Sequence, residues 1–335
     1  MKILRLVSGL LALMLVAAGV ALTPSPPQHT LQAALRQAVQ DRQTDVLAFV
    51  VYEVAIDRME SSRDGRTVLL WLALVERETG RRLATEPGLA IAQQLGANVN
   101  DPAAWKLTLQ VDADWAETLA ALPQELLTAD LKQNFAAPPA PAVQQPLTFS
   151  GYRLPWAPGR SKLLEGSIGH FLIYFSCRYE SDCYYAYDFA DGTMFPLLAA
   201  RAGEVWRFYD GCQNGDHSCS NYIVLKDTST NPTSYQLYLH IAHASIPSGL
   251  RSAGVPVLQG QYIADVDDTG YSTGHHLHFH VFTNPTTYYW GPSVDITFDD
   301  VSINGGRPRT CYEAQNWPEY GTECLAGDGY VSGNL

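Results

Sequence analysis

Hydrophobic and polar positions in the first part of the chain alternate between helical and strand-like spacing. Apolar residues recur at helical spacing from Leu31 to Val39, which predicts a helix. Three segments rich in β-branched and aromatic residues predict strands: 46–56, 67–75 and 105–111. A second helix is predicted after Asp114, and residues 84–95 are predicted to be partly helical. Residues 28–135 are therefore expected to form a small α+β domain of unknown role.

The second part of the chain has a different pattern. Residues 136–147 are rich in Ala and Pro, carry no charge and show no periodicity, which is typical of a linker. Beyond it, short apolar runs alternate with clusters of Gly, Pro, Asn and Asp, and no long amphipathic pattern occurs. These runs predict seven strands: 171–175, 186–189, 203–208, 222–225, 235–241, 262–265 and 277–282. Residues 148–335 are expected to form a mostly β domain with antiparallel strands.

The first 22 residues have the character of a secretory signal peptide. Lys2 and Arg5 precede an uncharged apolar run that ends in small residues. A retained N-terminal anchor is the alternative, because the run is only slightly shorter than a membrane span. Either interpretation places the rest of the chain outside the cytoplasm, as a secreted or cell-envelope protein.

Six cysteines, all beyond residue 147, fit an exported protein with disulfides. The close spacing within successive pairs favours three local loops: Cys177 with Cys183, Cys212 with Cys219, and Cys311 with Cys324. A zinc site built from cysteines is less favoured, because no Cys-x-x-Cys pair is present.

Charge excludes some partners. Lys plus Arg number 22 and Asp plus Glu number 34, so the net charge is 22 − 34 = −12. A chain this acidic is not expected to bind nucleic acid, and contact with a membrane is expected only through an uncleaved N-terminal segment. The oligomeric state stays open.

The strongest chemical signal is the segment STGHHLHFHV, residues 272–281. If it forms a strand, His276, His278 and His280 lie on one face and Leu277 and Phe279 on the other. Three imidazoles on one face suit a metal, and neutral imidazole is a favoured zinc ligand. A solvated polar face is the alternative explanation.

Several motifs occur in an order that resembles the lysostaphin and LytM-like family of zinc metallopeptidases, which cleave peptide cross-links in bacterial peptidoglycan. The similarity covers about residues 165–283 and leaves out the N-terminal domain and the last fifty or so residues. The motifs that carry it are Asp188-Phe189, Pro196, Ala199 to Val205, Asn221 to Val224, Tyr238 to His240, Gly260 to Ile263 and Ser272 to Val281. The resemblance implies a duplicated hybrid motif fold of two packed sheets.

The resemblance also implies roles for individual residues. Asp188 matches the Asp of the family's H-x-x-x-D motif, and His278 matches the second His of its H-x-H motif, both of which bind zinc. His276 and His240 match two histidines that act on the attacking water and on the oxyanion, and neither is a ligand in the family. Zinc with three protein ligands keeps one position open for water.

One position departs from the family pattern. Tyr184 stands where the family has its first His ligand, four residues before Asp188. In one account His170 replaces this imidazole from a neighbouring strand, with the segment between Cys177 and Cys183 returning the chain to Asp188. In the other account the site is degenerate and binds metal weakly or not at all.

Two functions follow from these alternatives. The first is an exported zinc metalloendopeptidase that acts on peptidoglycan cross-links or another extracellular peptide, with Asp188, His278 and His170 as ligands and with His276 and His240 as catalytic groups. The second is an inactive peptidase-like domain that binds cell-wall peptide or regulates a partner hydrolase. Tyr184 favours the second function, and the presence of both His240 and His276 favours the first.

Overall fold

The fold is taken from a computed structural model of the chain, which describes residues 26–42, 47–129, 132, 135, 147–169, 183–316, 318 and 321–335. Outside these residues lie the predicted signal peptide, residues 136–146 of the predicted linker, the predicted strand at 171–175 and His170. Among the described residues, every helix is too short or too polar to cross a membrane.

Four antiparallel strands form the sheet of the N-terminal domain. They follow one another in the order β1-β2-β3-β4. Their bounds are Tyr52–Ser61 (β1), Thr67–Glu76 (β2), Gly88–Gln94 (β3) and Trp105–Leu109 (β4). The described helices of this domain are Gln28–Gln40 (α1), Leu47–Val51 (α2) and Trp115–Ala121 (α3).

Helices cover both faces of this small sheet. The apolar stripe of α1, which includes Leu31 and Leu35, packs on one face. Trp115 and Leu119 of α3 pack on the other face, against Trp71. Because both faces are covered, β2 is buried along nearly all of its length, and it appears in the sequence as a continuous apolar run.

Two predictions for this domain are wrong. Residues 88–94 are strand β3 rather than part of a helix, because they pair with β2 on one side and β4 on the other. Residues 47–51 form α2, and the strand predicted from residue 46 begins only at Tyr52. In both places the apolar run is short, and the spacing of so few apolar residues does not distinguish a helix from a strand.

The C-terminal domain is built around one long sheet, whose main path runs β12-β9-β10-β11-β14-β7-β6-β16. Strand β15 joins β14 to β5, and β8 pairs with β13 in a separate two-stranded sheet. The bounds are Thr148–Tyr152 (β5), Ser161–Gly166 (β6), Tyr187–Ala190 (β7), Pro196–Leu198 (β8), Gly203–Tyr209 (β9), Tyr222–Asp227 (β10), Ser234–Leu239 (β11), Pro256–Val257 (β12), Tyr262–Asp265 (β13), His276–Phe282 (β14), Ser293–Phe298 (β15) and Gly329–Val331 (β16). A short helix, Cys311–Asn316 (α4), precedes β16.

This architecture confirms the predicted mostly β class. All described strand pairs of the domain are antiparallel except β15 with β5. Leu277, Phe279 and Val281 point from β14 into the hydrophobic core, together with Tyr187 and Phe189 of β7. The opposite face of both strands is thereby left for polar side chains.

Two of the predicted disulfides are confirmed, Cys212 with Cys219 and Cys311 with Cys324. Cys183 is also disulfide-bonded, and Cys177 lies outside the described residues. The confirmed bonds close short loops, with their cysteines separated by 7 and 13 positions in the sequence.

Leu225 tests the core of this sheet, because its side chain is fully buried in β10. We expect Leu225→Ala to lower the free energy of unfolding in urea by about 2–5 kcal/mol, through lost burial and the cavity left behind. The control is Leu258→Ala, since Leu258 is 71% exposed and its loss should change stability by less than about 0.5 kcal/mol. Similar losses for the two variants would contradict this description of the core.

Candidate metal and catalytic site

The register between β7 and β14 brings an aspartate and a histidine together. His278 lies directly opposite Asp188, and both side chains point away from the core. The Nδ1 atom of His278 lies 3.1 Å from Oδ1 of Asp188, and both residues are completely buried. These two predicted ligands therefore present a nitrogen and an oxygen to the same point.

His280 supports His278 from the next position on the same face of β14. Its Nδ1 atom lies 3.0 Å from Nε2 of His278. If Nε2 of His278 donates this hydrogen bond, its Nδ1 atom is left to face Asp188. The indole ring of Trp290 stacks on the imidazole of His278, with ring centres 5.5 Å apart, and covers it from the side.

His240 enters the site from the end of β11. It follows Leu239, which pairs with His278, and it adopts a left-handed backbone conformation with φ of 60°. Such a conformation costs a non-glycine residue about 1–3 kcal/mol, and it occurs most often at functional sites. The imidazole centre of His240 lies 4.6 Å from that of His276.

Backbone carbonyl groups fix the orientation of both of these rings. The Nδ1 atom of His240 lies 2.6 Å from the carbonyl oxygen of Thr269, and Nδ1 of His276 lies 2.9 Å from that of Gly274. A carbonyl oxygen only accepts, so each Nδ1 atom must carry a proton. In the neutral rings, the lone pairs are then on the two Nε2 atoms, which face the same space.

The N-terminal domain supplies one further group, Glu86. Residues 81–86, which we call the strap, lie between β2 and β3 and end in the site. The Oε1 atom of Glu86 lies 2.5 Å from Nδ1 of His278, 3.4 Å from Nε2 of His240 and 3.7 Å from Nε2 of His276. This carboxylate is therefore central to the cluster, although it belongs to the other domain.

The segment that carries most of these side chains is similar to one known family. Residues 184–288 match the model of Peptidase family M23. The match confirms the predicted resemblance to lysostaphin and LytM-like enzymes, and we call the C-terminal domain, which contains it, the M23 domain. No curated protein matches the chain.

Three solved structures are similar to parts of the chain. A chain of the SpoIIQ–SpoIIIAH pore-forming complex is 20% identical, with 32% of this chain and 65% of that chain covered and a TM-score of 0.23. The catalytic domain of lysostaphin from Staphylococcus simulans is 24% identical, with 32% and 74% covered and a TM-score of 0.24. A zinc-containing peptidase from Vibrio cholerae is 15% identical, with 75% and 89% covered and a TM-score of 0.27. The chain thus spans less than two thirds of the first of these.

The donor atoms that converge at this site fit a metal ion. Asp188, His278 and Glu86 each offer one atom within 4.8 Å of the others, as do Glu86, His240 and His276. Asp188 is 0% and Glu86 is 9% exposed, so two carboxylates share a nearly dry space. Two carboxylates in such a space are costly to ionise unless a metal ion or a protonated histidine compensates their charge.

The pKa values of the histidines reflect these carboxylates. Burial by itself lowers the pKa of His278, but Glu86 and Asp188 outweigh it and raise that pKa to about 9. Burial also opposes the protonation of His276, whose pKa is nevertheless raised by Asp188 and Glu86. Burial lowers the pKa of His240, and nearby His276 adds to this effect. The two carboxylates therefore favour positive charge at both His278 and His276.

Four of the five predicted site residues come together in the M23 domain: Asp188, His240, His276 and His278. Their roles in metal binding and catalysis stay predictions. His170, the fifth, lies outside the described residues. The ring of Tyr184 packs against that of Tyr185, with ring centres 4.8 Å apart, and borders the core.

Sequence analysis missed Glu86. It has neither the spacing of a metal motif nor any histidine close to it in the sequence. The segment 84–95 was predicted to be partly helical, which gave Glu86 no place in a site. The only available signal was an acidic residue beside Pro87 and Gly88, which is typical of an ordinary loop.

His280 provides a test of metal binding that spares the proposed ligands. We expect His280→Ala to weaken zinc binding by about 10- to 100-fold, because His278 loses the group that orients its ring. Competition with a chelator of known affinity measures this change. The matched control is His29→Ala, at an exposed histidine in α1 of the N-terminal domain. Unchanged affinity in His280→Ala would show that the 3.0 Å contact does not support the metal site.

Proposed function

We propose that this protein is an exported zinc metalloendopeptidase that hydrolyses peptide bonds in peptidoglycan cross-links. The observation that carries the proposal is the convergence of two kinds of group on one space. Asp188 and His278 present metal-binding atoms there, and the Nε2 atoms of His240 and His276 face it from the other side.

Zinc bound by Asp188 and His278 would polarise the scissile carbonyl group and make water more acidic. His276 is proposed to take a proton from the attacking water through Nε2, since its Nδ1 proton is held by Gly274. His240 is proposed to stabilise the developing negative charge on the substrate oxygen. Its position is maintained by the hydrogen bond to Thr269.

The substrate and the location are proposed on separate grounds. Disulfides persist in oxidising compartments, and the first 22 residues have the composition of a secretory signal. Lysostaphin is described as an antimicrobial peptidase, and the M23 domain of this chain is similar to it. A peptide of the cell wall is a substrate that a protein outside the cytoplasm would meet.

The second candidate is an inactive domain that binds cell-wall peptide or regulates a partner hydrolase. Tyr184 favours it, because phenol is a poor zinc ligand at neutral pH and occupies the position of a family histidine. The paired orientation of His240 and His276 favours the enzyme, since peptide binding alone does not require two Nε2 atoms directed at one point.

The test is digestion of purified peptidoglycan by the zinc-loaded protein, with the released peptides identified by mass spectrometry. We expect His276→Ala to bind zinc normally and to lower hydrolysis by about 10²- to 10⁴-fold, because a positioned proton acceptor is lost. Both chains are also assayed with Glu86→Ala, since Glu86 lies inside the site. Cleavage that is equally fast with and without His276 would refute its role. Zinc binding without any cleavage would favour the second candidate.

A further inference from the structure

A second group of metal-binding side chains lies in the loop between β13 and β14, residues 266–275. Asp267, Asp268 and His275 each offer one ligand atom, and these three atoms lie within 4.8 Å of one another. The Nδ1 atom of His275 is 3.2 Å from Oδ1 of Asp267 and 3.9 Å from Oδ1 of Asp268. None of the three belongs to the cluster around His278. The loop therefore gathers two carboxylates and an imidazole at a place of its own.

Asp267 is the member of this group that points to a bound cation. Its side chain is 1% exposed, and neither of its carboxylate oxygens has a hydrogen-bond partner among the described residues. A buried carboxylate is normally satisfied by hydrogen bonds or by a metal ion. The negative charge of Asp268 next to it increases the need for a compensating positive charge. A cation between the two carboxylates and His275 would meet that need.

His275 does not satisfy this carboxylate by a hydrogen bond of its own. Its Nδ1 atom is also buried and has no hydrogen-bond partner among the described residues, although Oδ1 of Asp267 is only 3.2 Å away. The two atoms are thus close without the alignment that a hydrogen bond requires. Two ligands of one ion have this relation, because their lone pairs point at the ion and not at each other. With its proton on Nε2, neutral His275 offers the lone pair of Nδ1 for this purpose.

Backbone hydrogen bonds hold the loop in place along its length. The N–H of Asp267 donates to the carbonyl oxygen of His240 over 2.7 Å, and the N–H of Gly270 donates to that of Asp216 over 2.8 Å. Towards β14, Thr273 is hydrogen-bonded to the strap. The ligands are therefore carried by a backbone whose position is set without the ion, which lowers the entropy cost of binding one.

The types of these donors favour zinc or a similar transition metal. Imidazole nitrogen suits zinc, whereas calcium and magnesium are bound by oxygen ligands. The side chains of Asp268 and His275 are 23% and 34% exposed, so water can reach the ion and complete its coordination. The group thus fits one divalent transition metal ion with three protein ligands.

We propose that Asp267, Asp268 and His275 form a second metal site, for zinc or a similar divalent transition metal ion, and that the ion stiffens the loop that leads into β14. The inference concerns ion binding alone, so it stands or falls independently of the proposed peptidase activity.

The loop connects this second site to two histidines of the candidate site. Thr269 lies in the loop, and its carbonyl oxygen accepts the hydrogen bond that orients His240. His275 directly precedes His276 in the sequence. An ion bound to the loop would therefore help to hold both of these imidazole rings in position, without contact with either.

Zinc stoichiometry separates the two sites. The full chain is brought to equilibrium by dialysis over a range of zinc concentrations, and bound zinc is measured by elemental mass spectrometry. We expect about two zinc ions per unmodified chain, and one fewer both in Asp267→Asn with His275→Ala and in His278→Ala, because each variant loses ligands of one site. The matched control is Asp265→Asn, which removes a carboxylate from neighbouring β13 and should keep the full zinc content. Thermal unfolding checks that the variants are folded.

Equal zinc content in the unmodified chain and in Asp267→Asn with His275→Ala would overturn the second site. If that variant loses an ion and His278→Ala loses none, the second site stands and the candidate site around His278 binds no zinc. Asp268→Asn decides if the double variant does not fold, because this side chain is partly exposed. We expect it to weaken binding of one zinc ion at least about 10-fold, and unchanged affinity for both ions would refute the assignment.

Hydrogen exchange tests whether the ion stiffens the loop. Exchange of the backbone amides of residues 266–275 is compared in the unmodified chain and in His275→Ala, each with and without zinc. We expect zinc to slow exchange at least about 10-fold more in the unmodified chain, because an ion bound to the folded loop suppresses its local opening. The candidate site around His278 is intact in both chains, so an ion bound there affects both alike. Equal slowing in the two chains would show that no ion at the second site stiffens the loop.

Discussion

The candidate site depends on the pairing of β14 with a strand on each side. Pairing with β7 sets Asp188 opposite His278, and pairing with β11 sets the turn that carries His240 beside the same histidine. A shift of the register by one residue would turn the three imidazoles of β14 into the hydrophobic core. The aromatic and aliphatic residues of the core therefore determine where the chemical groups lie, although none of them takes part in the chemistry.

Much of this arrangement could be predicted because it is encoded locally. The alternation of His and apolar residues predicts that β14 is a strand and which side chains lie on each of its faces. The motifs around Asp188 and His240 resemble a known family. Glu86 could not be predicted in this way. It reaches the site only because two domains dock, and no residue near it in the sequence carries information about His278. The strand β3 was missed for a related reason, since its conformation is decided by pairing with β2 and β4.

The charges at the site link metal binding to domain docking. Asp188 and Glu86 are brought together with little exposure to water, and His278 lies between them. Without a cation, closing the two domains places like charges near one another, which the raised pKa of His278 offsets in part. A cation that binds both carboxylates would therefore favour docking of the two domains.

The order of elements along the chain has a consequence for biosynthesis. The N-terminal domain is complete by about residue 135, whereas the sheet that carries the site gains its outer strand β16 only when residues 329–331 pair with β6. Domains emerging from the ribosome tend to fold in order from the N-terminus. A finished domain that presents Glu86 would therefore be waiting when the sheet that carries His278 assembles. The newly made chain would dock its two domains as soon as that sheet forms, so the buried histidines of β14 would have little time in contact with solvent.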